Sequence, residues 1–243
     1  MVAITGTNGK TTTTTLIGEL FKESGRKVLV GGNIGLPLVT AVEDYDAGDL
    51  IIAEVSSFQL ETVISFRPKV AVILNITPDH LDRHGHMEAY TAAKARVFAN
   101  QGPADFTVLN YDDPLTAGLA VKTAGRVIFF SCHHQLPSGV FVESGKIVAR
   151  DGCLGANYLP GRRNRPTGKA HNLENALAAV AVAQAMGVPA DTIARVLKGF
   201  KGVPHRLEFV AEVNGVKYIN DSKGYTTRLL PLRLWRPTQS RWF

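Results

Sequence analysis

Apolar and polar positions along the first 220 residues fall into two alternating patterns. Continuous Val/Ile/Leu runs at 1–5 (MVAIT), 27–32 (KVLVGG), 49–57 (DLIIAEVSS), 69–77 (KVAVILNIT), 106–110 (FTVLN) and 126–131 (RVIFFS) predict strands. Between them, residues 12–25 (TTTTLIGELFKESG), 87–102 (MEAYTAAKARVFANQG) and about 114–123 carry a helical period. Strands that are apolar throughout are covered on both faces, so the sheet is expected to be mainly parallel. The fold class is therefore α/β, a doubly wound sheet with a phosphate-binding loop. Two stretches alternate instead. GVFVESGKIVAR (139–150) predicts a hairpin at a sheet edge or in a small accessory sheet, and LEFVAEVNGVKYIND (207–221) a second hairpin turning at Asn214-Gly215. An Ala-rich helix is expected from Asn172 to Met186 and a shorter one from Ala190 to Lys198.

The length of 243 residues suits one large α/β domain, and 45% hydrophobic with 20% charged residues fits a soluble globular chain. No apolar run approaches the ~20 residues of a membrane span, and no leader pattern opens the chain, so a cytoplasmic protein without a membrane partner is expected. Cys132 and Cys153 form no C-x-x-C pair and are read as incidental thiols. The net charge of +6 would suggest nucleic acid, but Arg228, Arg233, Arg236 and Arg241 supply four of those charges, and +2 remains without them. A nucleic-acid partner is not expected. Residues 224–243 carry no acid and no coherent period, which predicts a basic, disordered tail after a domain of 1–223.

Candidate chemistry begins at TGTNGKTT, Thr5 to Thr12. A strand precedes the stretch and a helix follows, the context in which consecutive backbone N–H groups and a helix N-terminus converge on phosphate oxygens. Gly6 and Gly9 supply permissive backbone, Lys10 a charge, and Thr11 a hydroxyl for Mg2+, with Thr7, Asn8 and Thr12 completing the loop. The glycine five places before Gly9 in the common phosphate-loop pattern is here Ile4, so the loop is a shorter form. Glu54 ends an apolar strand, where its carboxylate would emerge at the edge that binds ligands in open α/β sheets. His80 follows the next strand within PDHLDRHGHMEAY and suits a second metal position, whereas His84 and His86 are expected to be solvated loop residues.

TGTNGKTT, GGNIGLP, EVSSFQLE, NITPDHLDRH, YTAAKARVF, HNLENALAA, GVPHRLE and NDSK occur in an order that resembles the Mur ligases of peptidoglycan synthesis, over nearly all of residues 1–223. EVSSFQLE with GGNIGLP resembles the D-glutamate-adding branch. The resemblance implies an ATP-dependent carboxylate–amine ligase. ATP would phosphorylate the alanyl carboxylate of UDP-N-acetylmuramoyl-L-alanine, and the amine of D-glutamate would then displace phosphate. It also implies that Lys10 holds the β- and γ-phosphates, that Thr11 and Glu54 hold a first Mg2+, and that His80 and a carbamylated Lys94 hold a second. Asn33, Ser56 and Ser57 would lie at the muramyl substrate. Asn172 and Asn175, three apart on one helical face, would contact the nucleotide, with His171 a contact or helix cap, Arg206 facing phosphates and Asp221 the ribose. A monomer is implied.

Two features depart from the family pattern. The chain opens at the first strand of the central domain, without the family's amino-terminal domain that grips uridine diphosphate, and after NDSK a basic tail stands in place of its third domain. ATP binding is thus expected to be retained and ligation impaired. The alternatives are another Mur or folylpolyglutamate-type ligase, a P-loop ATPase without ligase activity, and a non-catalytic fragment.

Overall fold

The computed structural model describes residues 1–151, 154–159, 170–206 and 208–222; Cys153 and the expected tail lie outside them. Residues 1–200 form one compact unit and the chain from Lys201 onward a second.

In the first unit the apolar runs become strands and the amphipathic segments between them helices. In chain order these are β1 (Val2–Thr5), α1 (Lys10–Glu23), β2 (Val28–Gly32), β3 (Leu50–Glu54), α2 (Ser57–Leu60), β4 (Val70–Ile73), α3 (Leu81–His84), α4 (Met87–Ala95), β5 (Phe106–Asn110), α5 (Pro114–Ala117) and β6 (Arg126–Ser131). The hairpin follows as β7 (Gly139–Glu143) and β8 (Lys146–Asp151), then β9 (Leu154–Leu159), α6 (Ala170–Ala185) and α7 (Ala190–Gly199). The sheet order is β2-β3-β1-β4-β5-β6-β7-β8-β9, parallel from β2 to β7 and antiparallel over β8 and β9. The expected doubly wound, mainly parallel sheet is thus observed, with the hairpin extending one side of it.

Alternate residues of the same strand face different cores. Val2, Ile4, Val70 and Val72 pack with Leu16, Leu20 and the Ala-rich face of α6. Ala3, Ala71 and Ile73 pack with Leu60, Tyr90 and Phe98 on the other side. Burial on both faces explains why these strands read as unbroken apolar runs. The strand order reverses at β1, which lies between β3 and β4. A crevice for ligands is expected outside the carboxyl ends at that switch point.

Several elements differ from the sequence expectation. β3 stops at Glu54 because Ser56 leaves the ladder to cap α2, accepting from the Gln59 N–H while the Gln59 side chain accepts from the Ser56 N–H. β4 stops at Ile73, and Asn75 and Thr77 turn to bind the loop after β1. The helix expected over 87–102 is α-helical only to Ala95 and then tightens into a 3-10 turn, Arg96–Phe98. The expected 114–123 helix likewise splits into α5 and a 3-10 turn, Gly118–Lys122. Neither β9 nor α3 was visible as a pattern, since LGANYL contains strand-poor Gly and Asn and LDRH spans one turn.

Asp113 joins two of these strand ends. Its carboxylate caps α5 by accepting from Leu115 and Thr116 N–H, and it also accepts from the Ile76 N–H at 2.6 Å. Asp113→Ala is expected to cost about 2 kcal/mol, one cap plus one orphaned N–H, measured by urea unfolding.

The second unit contains a hairpin of β10 (Glu208–Val213) and β11 (Val216–Asn220), turning at Asn214-Gly215 as expected.

Candidate phosphate and metal site

The loop between β1 and α1 is held by side chains that the sequence did not single out. Asn75 accepts from the Asn8 N–H at 2.8 Å and donates to the Asn8 carbonyl at 3.2 Å, so one amide reads both backbone groups. Thr7 Oγ1 sits 3.2 Å from the Tyr90 hydroxyl and 3.1 Å from the Thr77 carbonyl oxygen. Side chains and backbone from outside the loop therefore set its shape. Its only sequence signals were an Asn and a Thr at the end of an apolar run and a Tyr one turn before Lys94.

Gly9 begins α1 in the left-handed region, φ 83°. A Cβ there would come within 2.2 Å of Asn175 Oδ1, and the same oxygen accepts from Thr13 Oγ1 at 3.2 Å. Asn175 thus packs directly on the loop. Asn172 lies in the same helix, but its side chain and that of His171 fall outside the described residues.

Two lysines converge on one carbonyl. Lys10 Nζ donates to Gly6 O at 2.9 Å and Thr7 O at 3.0 Å, and Lys94 Nζ donates to Gly6 O at 2.9 Å. Lys94 is buried, 2% exposed, with its nitrogen 4.4 Å from the Tyr90 ring centroid. Burial first, and then the neighbouring Lys10 charge, push its pKa down to about 7. The unfolded chain binds that proton up to the ordinary value of 10.5. The penalty of burying charged Lys94 is therefore complete below about pH 7 and fades as pH rises toward 10.5. Relative to Lys94→Met, the parent chain is expected to gain stability between about pH 7 and 9, approaching ~1.4 kcal/mol per pH unit. Urea unfolding in CO2-free buffer measures the slope; a pH-independent difference would contradict it.

Glu54 and Thr11 meet as expected, with Thr11 Oγ1 donating to Glu54 Oε2 at 2.9 Å. Glu54 is 2% exposed, and its other oxygen accepts from Asn33 Nδ2 at 3.1 Å. Two hard oxygen donors this close, beside a phosphate-type loop, fit the demands of Mg2+, which takes oxygen ligands at ~2.0–2.1 Å and keeps several waters. Among the described residues no group of three or more His, Cys, Asp or Glu is placed to hold a metal. A cation here would accordingly depend on phosphate oxygens and water for the rest of its shell.

Ser56 is engaged in its cap, and Ser57 Oγ lies 3.0 Å from His84 Nε2. His80 begins α3 in the left-handed region, φ 52°, with its ring 5.0 Å from Phe58. His86 is solvated as expected, 68% exposed, but the expectation for His84 was wrong: its side chain is 3% exposed. Its ring stacks on Phe58 and tilts against Tyr90, contacts invisible in a loop sequence. Arg206 and Asp221 belong to the second unit, where the pairing of Glu208 with Asn220 brings both to the open end of the hairpin. No described helix is long and apolar enough to cross a membrane.

Residues 4–183 match the family model described as the Mur ligase middle domain. A UDP-N-acetylmuramoylalanine–D-glutamate ligase of Pelotomaculum thermopropionicum is 62% identical over 92% of the chain and 49% of its own length. The ligase of the same name from Thermoanaerobacter pseudethanolicus is 54% identical over 91% of the chain and likewise 49% of its own length. The chain thus spans about half the length of these relatives. Among solved structures, MurF from Acinetobacter baumannii superposes with a TM-score of 0.69 at 23% identity, over 90% of the chain and 50% of that protein. MurF from Thermotoga maritima in complex with ADP gives 0.66 at 23%, over 90% of the chain and 52% of that protein. At that identity the likeness is one of fold.

Proposed function

The chain belongs to the Mur ligase family, and on that premise we propose that it binds Mg·ATP at Thr5 to Thr12 and serves ATP-dependent addition of D-glutamate to UDP-N-acetylmuramoyl-L-alanine. The observation that carries this reading is the Thr11–Glu54 pair, 2.9 Å apart beside a loop already shaped by Asn75, Thr77 and Tyr90. The complex of the Thermotoga maritima MurF with ADP supports a nucleotide ligand for a chain of this fold.

A carboxylate at neutral pH is a poor electrophile, and transfer of the γ-phosphoryl group to its oxygen supplies a leaving group. The D-glutamate amine then adds to the acyl carbon, the C–O bond to phosphate breaks, and the amine proton is lost. The protein's part is positioning and charge neutralisation. The loop N–H groups would receive the phosphates, and Lys10 would exchange its bonds to the Gly6 and Thr7 carbonyls for phosphate oxygens. Thr11 and Glu54 would hold Mg2+, which supplies charge neutralisation when bound. Asn33 keeps Glu54 aimed.

The second cation position would use His80 and Lys94. A protonated Lys94 would repel it, but an ε-amine whose pKa is pushed to about 7 has a large neutral fraction at pH 7. That amine adds to the carbon of CO2 and releases one proton, giving an anionic carbamate. Asn33, Ser56 and Ser57 would face the muramyl substrate, and Asn172, Asn175, Arg206 and Asp221 the nucleotide. The reading adopts a monomer working in the cytoplasm.

Phosphate release measured with the UDP-linked acceptor and a series of amino acids tests the reading. Release that needs both the acceptor and D-glutamate is expected. Release without the acceptor would favour the plain ATPase, and stimulation by a different amino acid another ligase of the family.

A further inference from the structure

His84 joins three segments whose residues are candidates for holding cations. α2 follows Glu54 closely, and Ser57, at its start, places Oγ 3.0 Å from His84 Nε2. α3 begins at His80, whose carbonyl accepts from the N–H groups of both Arg83 and His84, at 3.1 and 3.0 Å. α4 carries Tyr90 one turn before Lys94, and the Tyr90 ring lies 5.0 Å from that of His84. On its other side the imidazole stacks on Phe58 at 5.5 Å and 12°, and Phe58 in turn touches the His80 ring.

We propose that His84 is a positioning residue, which fixes the segments bearing Glu54, His80 and Lys94 relative to one another and thereby sets the geometry of the second cation position. The proposal rests on the Mg·ATP reading above. An apolar ring would suffice for packing alone, but this ring has a polar partner at each nitrogen, because Nδ1 lies 3.3 Å from Glu61 Oε1. The Arg83 guanidinium, 2.8 Å from the other Glu61 oxygen, holds that carboxyl below its usual range and so keeps it anionic. An anionic oxygen repels a lone pair on Nδ1 and favours a proton there. Nε2 then accepts from the Ser57 hydroxyl, and the ring has one orientation and one tautomer. Arg83 closes the same cluster from outside, over the Phe58 face at 5.2 Å. His80 needs such support, since a side chain in the left-handed region is strained and its surroundings must offset that strain.

Two measurements on the full chain test the role. Nitrogen-15 spectra of the histidines, taken without nucleotide, are expected to show His84 protonated at Nδ1 with Nε2 as acceptor, and Ser57→Ala is expected to shift Nε2 selectively. The opposite tautomer would overturn the proposal. Mn2+ binding is then followed by spin resonance in the presence of ATP. His84→Phe, which keeps the stacking, is expected to weaken Mn2+ by about 10-fold while metal-free ATP affinity stays within about 2-fold, and His84→Gln is expected to recover part of the loss. Unchanged Mn2+ affinity in His84→Phe would overturn the proposal, as would an equal loss of metal-free ATP binding, the mark of a merely structural residue. Should His84→Phe fail to fold, Glu61→Gln, which removes the anion facing Nδ1, takes its place with the same expectations. A parent chain that binds no ATP sinks the functional reading itself, whereas a parent that binds both ligands beside an unaffected His84→Phe sinks only the positioning role.

Discussion

Lys10→Ala is expected to weaken Mg·ATP binding at least about 100-fold while lowering the stability of the chain by no more than about 1 kcal/mol. The first figure is the usual loss when one partner of a close, partly buried charge pair is removed. The second follows from how the loop is held. Lys10 contributes bonds to the Gly6 and Thr7 carbonyls, but the Gly6 carbonyl keeps Lys94 as a donor. Thr7 and Asn8 remain fixed by Asn75, Thr77 and Tyr90. The loop should therefore keep its shape and lose its charge. Removing Lys10 also takes away a like charge from Lys94, so the Lys94 pKa is expected to rise above about 7. Isothermal titration with Mg·ATP, together with urea unfolding of both chains, separates the two effects. Equal binding by parent and variant would show that the loop is not a phosphate site.

How much of this was legible in the sequence differs by kind of feature. Six of the seven parallel strands, β1 to β6, were visible because burial on both faces leaves an unbroken apolar run, as in Val70–Ile73, while β7 read only as half of a hairpin; the switch point at β1 follows once their order is set. Lys10, Thr11 and Glu54 were legible because a phosphate loop and a strand-end carboxylate have fixed local contexts. The supports of the loop were not. Asn75 reads as the tail of a strand and Tyr90 as one aromatic in a helix, and only the folded chain brings them, from 67 and 83 residues away, to Asn8 and Thr7. His84 was misread for a related reason. Polar neighbours such as Asp82 and Arg83 suggest solvent, yet Phe58 and Tyr90 enclose the ring from other segments. The role proposed for Lys94 came from the family resemblance alone, since a lysine in a helix carries no signal, whereas His80 stood out by following a strand end within a polar cluster.

The largest effect on the fold is expected from Gly32→Ala, at least about 3 kcal/mol. Gly32 ends β2 at φ 111°, and a Cβ there would lie 2.3 Å from the Glu54 carbonyl oxygen and 3.2 Å from the Glu54 nitrogen. Those atoms are backbone and have nowhere to go. The Glu54 carbonyl accepts from the Asn33 N–H at 2.9 Å, Glu54 pairs with Ile4 of β1 on its other side, and the next residue donates to the Ile4 carbonyl at 2.8 Å. Relief must come from parting β2 and β3 at their carboxyl ends, so backbone strain and overpacking add. Against a total of ~5–15 kcal/mol for a domain, that loss is large. Gly145→Ala is the control: its φ is 73° but nothing lies within 4 Å of the added carbon. It is expected to cost only ~1–2 kcal/mol, the conformational part alone. The comparison also reaches the site, because parting the strands there draws Glu54 from Thr11 and Asn33, now 2.9 and 3.1 Å away. Molecules of Gly32→Ala that remain folded are expected to bind ATP with little benefit from Mg2+, and those of Gly145→Ala to keep the parent's Mg2+ dependence. Titrations with and without Mg2+ at low temperature distinguish the two, and full Mg2+ dependence in Gly32→Ala would mean that the metal does not rely on Glu54.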